Sequence, residues 1–251
     1  MVRMIMHGCN GRMGQMITGI VDRDDEIRIV AGVDINDKQL NDYPVFKTIN
    51  EVNVEADVVV DFGATAAIDN LLSWCKNTKT PCVVCTTGLS EEQIANVSKT
   101  AESVAMLRSA NMSLGINTLI KLLKEAANVF APAGFDVEVV EKHHKMKLDA
   151  PSGTAIALAD AVNEAINNEY TYVYDRSGRR QVRDEKEIGI SAVRGGTIVG
   201  EHDVIFAGED EVITFSHTAY SRAVFAKGAI QAAKFLYNKE PGLYTMADVV
   251  K

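Results

Sequence analysis

Over the first 112 residues, short β-branched runs alternate with stretches whose apolar residues recur at helical spacing. The runs predict strands over residues 2–7, 27–33, 58–62, 82–86 and 104–109, and the spacing between them predicts helices such as 12–21 and 91–101. Alternation of this kind marks a parallel sheet wrapped by helices, because parallel neighbours need a crossover connection. Ser90, followed by Glu91, Glu92 and Gln93, supplies a cap and an acidic first turn for the helix at 91–101.

After Ser113 the texture changes. A helix over 114–130 leads to a strand over 136–141, a polar loop and a helix over 154–166. A charged stretch at 175–187 reads as exposed, and the alternating runs 188–193, 203–207 and 212–216 suit an antiparallel sheet, with Gly208-Glu-Asp as a hairpin turn. A last amphipathic helix over 222–237 gathers Phe225, Ala229, Ala232, Ala233 and Leu236 on one side, and is expected to pack back on the first domain. The fold class is therefore α/β: a Rossmann-like parallel-sheet dinucleotide domain (1–112 and 222–251) plus a second α+β domain with a mixed or antiparallel sheet (113–221).

Composition narrows the choice of ligand. A chain of 251 residues that is 47% hydrophobic can bury substantial cores, and a formal charge of -8 argues against a nucleic-acid partner, which needs a concentrated basic surface. No run approaches the ~20 apolar residues that span a bilayer, so no membrane partner is expected. Cys82 and Cys85 have the spacing of a redox or zinc half-site, but they lie in Pro81-Cys-Val-Val-Cys-Thr, which reads as a buried strand, and no second cysteine pair completes a site. With no charged leader at the amino terminus either, reduced thiols and a cytoplasmic location are expected.

The first strand-to-helix junction carries Gly8, Cys9, Asn10, Gly11, Arg12, Met13 and Gly14, a variant of the dinucleotide fingerprint. Its glycines permit a tight turn and close approach to a pyrophosphate, whose charge the first helical amides meet. The second strand ends in Gly32-Val33-Asp34, where an acidic residue about 20 positions on binds a ribose hydroxyl. A solvated strand-end carboxylate is the plain alternative. As a ribose ligand, Asp34 disfavours a 2′-phosphate, so NADH is expected over NADPH, with Lys38 blunting the preference. Asp61-Phe-Gly-Ala-Thr65 and Thr86-Thr87-Gly88 follow later strands, at the carboxyl edge where open parallel sheets bind ligands.

The richest chemistry lies in Glu141-Lys-His143-His144-Lys-Met-Lys147-Leu-Asp149-Ala-Pro151-Ser152-Gly153-Thr154. Cationic donors meet a helix start whose free amides make a cradle for a small carboxylate. A histidine beside lysine is a candidate proton donor, because imidazole titrates near neutral pH. Adjacent on a strand end, His143 and His144 point in different directions, so one aims at a reacting atom while the other supports. A merely structural or exposed pair is the alternative. Zinc, with His217 as a distant third ligand, is disfavoured because Lys147 would repel it. No metal is expected.

The string Glu-x-His-His-x-x-Lys-x-Asp-x-Pro-Ser-Gly-Thr-Ala resembles the signature of the 4-hydroxy-tetrahydrodipicolinate reductase (dihydrodipicolinate reductase) family, of the lysine and diaminopimelate pathway. The likeness runs the length of the chain, through Gly8-x-x-Gly-Arg-Met-Gly14, Asn111-Met-Ser-x-Gly-x-Asn117, Arg194-Gly-Gly, Gly200-Glu-His202, His217-x-Ala-x-Ser-Arg222 and Gly242-Leu-Tyr. It implies an NAD(P)H-dependent reduction of a small cyclic dicarboxylate, with His143 as general acid and Lys147 as partner acid or carboxylate anchor. It also implies His144, Ser152, Gly153 and Thr154 as substrate contacts. The resemblance further implies that the nicotinamide is approached by the loops at Cys85, Thr86 and Thr87 and at Ala110, Asn111 and Met112, and that the assembly is a homotetramer held through the second domain's sheet. The chain departs from the family at Cys85, where glycine is usual, at Met112 for phenylalanine, at Ala64-Thr65-Ala66, which lacks a proline, and at Ile35, where many members carry arginine. All four fall in the cofactor half and bear on cofactor preference. Two other readings compete: a different two-domain nicotinamide dehydrogenase, and a dinucleotide sensor without catalysis. The first lacks its catalytic cysteine here, and the second has no use for a proton donor.

Overall fold

The computed structural model describes residues 1–250, which form two compact units, Met1–Ser113 with residues 223–250, and Leu114–Arg222. In the first unit, β1 (Val2–His7), β2 (Ile27–Val33), β3 (Val45–Phe46), β4 (Val58–Asp61), β5 (Cys82–Val84), β6 (Ala105–Arg108) and β12 (Gly242–Tyr244) make one sheet in the order β12-β6-β5-β4-β1-β2-β3. Every pairing is parallel. The helices are α1 (Arg12–Val21), α2 (Ile68–Thr78), α3 (Glu91–Ala101), α6 (Ala223–Leu236) and the short α7 (Met246–Val249).

Residues of β4 are buried without alternation, as expected of a strand covered on both faces. One face packs Ile5, Val59, Leu71, Leu72 and Met106 into a single core with α2 and α3. Over the other lies α6, which packs on β4, β5, β6 and α1 and buries Ala226, Ala229, Ala232, Ala233 and Leu236. Its approach is close enough that a Cβ at Gly228 would overlap the Met112 carbonyl. The cap expected at Ser90 is a full capping box: Gln93 N–H donates to Ser90 Oγ at 3.2 Å and Ser90 N–H to Gln93 Oε1 at 3.1 Å. Such a cap contributes about 1 kcal/mol.

In the second unit, α4 (Leu114–Phe130) and α5 (Gly153–Ala165) pack together against one face of a sheet made by β7 (Asp136–His143), β8 (Thr171–Val173), β9 (Glu187–Arg194), β10 (Gly200–Ala207) and β11 (Val212–Ala219), in the order β11-β10-β7-β9-β8. The core gathers Leu123, Val137, Val139, Leu158, Val162, Ile190 and Phe206.

The sheet is mixed. Strands β10 and β11 are antiparallel as their alternation predicts, but β9 runs parallel to both β7 and β8. Its run of buried residues, 187–190, belongs to a central strand reached through a long connection containing α5, which is what parallel neighbours require. The charged stretch at 175–187 is likewise not simply exposed. Arg176 and Arg179 fork onto the buried Glu187, and Arg183 donates to Asp136 and Glu138 of β7 and to the carbonyls of Val137 and Glu187. The Glu187 carboxyl is consequently pulled down to about 2 by its bonds to Arg176 and Arg179.

Candidate active site

In the first unit, the carboxyl ends of β1, β2 and β4 enclose a cleft of about 450 Å³ lined by His7, Gly8, Gly11, Asp34, Lys47 and Gly63 among others. Gly8 stands at φ +82°, in the left-handed region, and a Cβ there would be 2.5 Å from the Phe62 carbonyl oxygen. Neither an L side chain's backbone preference nor its bulk is tolerated at that point. Helix α1 starts after Gly11 with no side-chain cap, so its first amides have no side-chain acceptor. The Asp34 carboxylate is fixed at the rim, accepting from the Asn10 amide at 3.0 Å and the Asn36 amide at 3.1 Å. Asn10 in turn donates its side-chain amide to the carbonyls of Asn36 and Lys38. A bare backbone turn, an uncapped helix start and an oriented carboxylate fit a dinucleotide's pyrophosphate and ribose.

Not every residue expected in the cofactor half faces this cleft. Cys9 is fully buried beneath the turn, and burial with the nearby Asp34 charge raises its thiol to about 11. Arg12 and Met13 open α1. Thr86 Oγ1 donates to Asp61 Oδ2 at 2.8 Å, while Asp61 Oδ1 meets His7 Nδ1 at 2.6 Å and the Gly63 amide at 2.9 Å. Cys85 is partly buried beside this network, Thr87 follows it, and Met112 is buried with Ala110 and Asn111 just ahead of it, none of them lining the cleft. His7 and Lys47 do line it, and the sequence reading missed both. For Lys47 no motif signals the position, because the two-residue β3 that delivers it is too short to leave a pattern.

In the second unit, sheet register assembles a polar cluster. Along β7 the inward residues are Val137, Val139, Glu141 and His143, so the apolar face turns polar at its carboxyl end. Register pairs Glu141 with His202 of β10, His202 with His217 of β11, and His143 with Arg194 of β9. Glu141 is completely buried and all four of its contacts are donors: His143 Nδ1 at 2.6 Å and Arg194 Nη1 at 2.8 Å on Oε2, Arg194 Nη2 at 2.7 Å and the Ser152 amide at 2.9 Å on Oε1. Burial opposes its charge, but the bonds from Arg194, His143 and Ser152 prevail and hold the carboxyl below its usual range.

Ser152 also caps α5, accepting from the Ala155 amide at 3.1 Å, and its hydroxyl meets His202 Nε2 at 3.1 Å. The rings of His143 and His202 stand edge to face, 5.1 Å apart, with His217 next in the row. Burial and the neighbouring His143 charge lower His202 to about 4, so it is a neutral ring. Among the described residues, Nδ1 of His202 and Nδ1 of His217 are buried without a hydrogen-bond partner. A Cβ at Gly200 would stand 3.1 Å from His143 Nε2, so glycine there leaves that nitrogen room.

His143 and Ser152 are thus brought together through Glu141. His144, on the alternate side of the chain, is half-buried, and its carbonyl accepts the Lys147 amide in a tight turn. Lys147 Nζ pairs with Asp149 at 2.9 Å, which holds the Asp149 carboxyl down. Gly153 and Thr154 form the first turn of α5, and the position of a Gly153 Cβ meets only open space. Among the described residues no group of three His, Cys, Asp or Glu side chains is placed to hold a metal ion. Glu141, Arg194 and His202 were missed as site residues, although the spacing Glu141-x-His143 on a strand already placed two of the side chains on one face.

Residues 2–112 match the amino-terminal profile of dihydrodipicolinate reductase, and residues 115–250 match the carboxy-terminal profile. The chain belongs to the dihydrodipicolinate reductase family. A 4-hydroxy-tetrahydrodipicolinate reductase from Caldanaerobacter subterraneus subsp. tengcongensis is 55% identical over 100% of this chain and 99% of its own, and one from Clostridium botulinum is 46% identical over 100% and 98%. The structure of a dihydrodipicolinate reductase from Paenisporosarcina sp. TG-14, with dipicolinate bound, is similar at TM-score 0.82 and 26% identity, covering 98% of this chain and 97% of that one. Membership makes the chain an NAD(P)H-dependent oxidoreductase of the diaminopimelate and lysine route, built on a Rossmann-like domain and a mixed-sheet domain. Among the described residues no helix is long and apolar enough to cross a membrane.

Proposed function

We propose that the chain reduces 4-hydroxy-tetrahydrodipicolinate to tetrahydrodipicolinate, with NADH preferred over NADPH. The observation that carries this reading is His143, held at the end of β7 by a buried carboxylate that also accepts from the Ser152 amide at the start of helix α5. A proton donor and an anion cradle built on one frame suit a small cyclic dicarboxylate. The ring 4-hydroxyl leaves as water, and a bound nicotinamide would supply the hydride to the double bond that this loss creates. His143 gives its Nε2 proton to the neighbouring ring carbon, Lys147 and the amides of Gly153 and Thr154 hold carboxylates, and His144 and Ser152 complete the substrate contacts. Lys147 is released from Asp149 when a substrate carboxylate takes the place of that partner.

Gly8, Cys9, Asn10, Gly11, Arg12 and Met13 form the pyrophosphate turn, and Asp34 receives the ribose hydroxyls. Cys85, Thr86, Thr87, Ala110, Asn111 and Met112 serve the nicotinamide end. Asp34 supports the preference for NADH, because a fixed carboxylate repels a 2′-phosphate, while Lys47 in the same cleft keeps NADPH usable. The reaction needs no metal. The active form is a cytoplasmic homotetramer, a reading supported by the face of the second unit's sheet that α4 and α5 leave uncovered, where Val140, Ile205 and Val193 point.

The test supplies the condensation product of pyruvate and aspartate semialdehyde and follows NADH and NADPH absorbance, with pyridine-2,6-dicarboxylate as inhibitor. Oxidation of NADH at the higher kcat/KM is expected, unaffected by a chelator. Tight dinucleotide binding by calorimetry with no oxidation of either cofactor would instead favour a sensor.

A further inference from the structure

Within the second unit, the group that contacts the proposed proton donor most closely is itself assigned no role by the reaction. We propose that Glu141, clamped by Arg194, is the positioning residue of the proton donor: it binds His143 through Nδ1 and so confines the transferable proton to Nε2.

Glu141 is saturated with donors. Both oxygens of Glu141 are already met by Arg194, one also by the Ser152 amide and the other by His143. An ionised carboxylate only accepts hydrogen bonds, so the imidazole nitrogen 2.6 Å from Oε2 must be the donor. That fixes a proton on Nδ1, and any second proton on the ring resides at Nε2. Gly200 leaves the space beside Nε2 open, so the free nitrogen is also the accessible one.

Charge around the ring is arranged to the same end. On β7 itself stands Glu141, on β9 Arg194, on β10 the neutral His202, beyond it on β11 His217, and on the loop before α5 the Lys147–Asp149 pair. Arg194 is held in turn by the carbonyls of Val193 and Asp149, so the clamp on Glu141 cannot rotate away. A carboxylate that only joined β7 to β9 would need Arg194 but not the histidine.

This inference rests on the reading of His143 as proton donor, and the experiment separates the two. The ring nitrogens of His143 are observed by 15N NMR in the full-length enzyme and in Glu141→Gln, with His143→Asn to assign the signals. In the Gln variant the carboxamide oxygen stays with Arg194 and its NH2 group faces Nδ1, which becomes an acceptor. The Nδ1 signal is therefore expected to move from the protonated to the unprotonated range. In the same variant kcat falls about 100-fold, whereas KM changes by no more than about threefold. If kcat is retained, or falls while the Nδ1 signal keeps its protonated position, Glu141 is structural and the proposal is wrong. Should Glu141→Gln not fold, the double variant Glu141→Leu with Arg194→Leu, which removes the carboxylate without leaving a buried charge unpaired, is read by the same two measurements. Full turnover in His143→Ala would remove the proton-donor reading alone, since the Nδ1 signal reports the Glu141 tether without any turnover.

Discussion

The candidate sites of the two units are built by opposite means. In the first, the cleft beside β1 and β2 is made of backbone: a glycine turn, an uncapped helix start and one carboxylate steadied by amides. In the second, the cluster at the end of β7 is made of charged side chains buried against one another, with Glu141 at the centre and Arg194 closing it. Backbone amides cost nothing to desolvate that the fold has not already met, whereas a buried charge must have every partner in place. Loss of a side chain should therefore be felt far more in the second unit than in the first.

The sharpest test is His143→Ala, which should lower kcat by about 10²- to 10⁴-fold while dipicolinate still binds by calorimetry. Lys147→Ala comes next, with kcat/KM down by about 100-fold and dipicolinate inhibition weakened to match, since a charge-assisted contact is worth about 2–3 kcal/mol. Stability rather than turnover responds to Arg183→Ala, which strips partners from Asp136, Glu138 and two carbonyls. A loss of about 2 kcal/mol in urea unfolding is expected, and no loss would mean that the arginine cluster is ornamental. In the first unit, Asp34→Ser should shift the ratio of kcat/KM values for NADH and NADPH by only about tenfold, or about 1.4 kcal/mol. A far larger shift would erase the contrast between the units.

A pH dependence of stability adds a further test. His202 is lowered from 6.5 to about 4, chiefly by burial and then by the neighbouring His143 charge. The unfolded chain therefore takes up this proton first, and folding stability declines as pH falls from 6.5 to about 4, with no further loss from this group below that. The Tm measured by circular dichroism should rise across that window, and His202→Asn should flatten the rise.

The same contrast explains what was legible in the sequence. Strands β1 and β2 and the turn between β1 and α1 could be read because glycine spacing and β-branched runs are local signals. Helix α2 was not singled out although Ile68, Leu71, Leu72 and Cys75 line one face, because Asn70, Ser73 and Asn77 dilute the pattern. Strands β3 and β12, two and three residues long, are too short to show periodicity. The His143 to Thr154 string announced chemistry, but its partners Arg194 and His202 come from strands more than 50 positions further on, and only register places them. The arginines at 176, 179 and 183 looked like a solvated run because two of the three acids they bind, Asp136 and Glu138, lie on another strand and the third, Glu187, is buried only once its strand joins the sheet.

The discontinuity of the first unit has a consequence for how the protein is made. Residues 114–222 are contiguous, and every strand of the second sheet has been synthesised before α6 is translated. The first sheet, by contrast, gains its edge strand β12 and its covering helix α6 only from the last 29 residues. Until then β4, β5 and β6 present one apolar face to water, a state in which nascent chains are prone to aggregate. The half of the molecule that begins first is therefore the half completed last, and a chain cut before Ala223 would hold every element of the second unit while leaving the first one open.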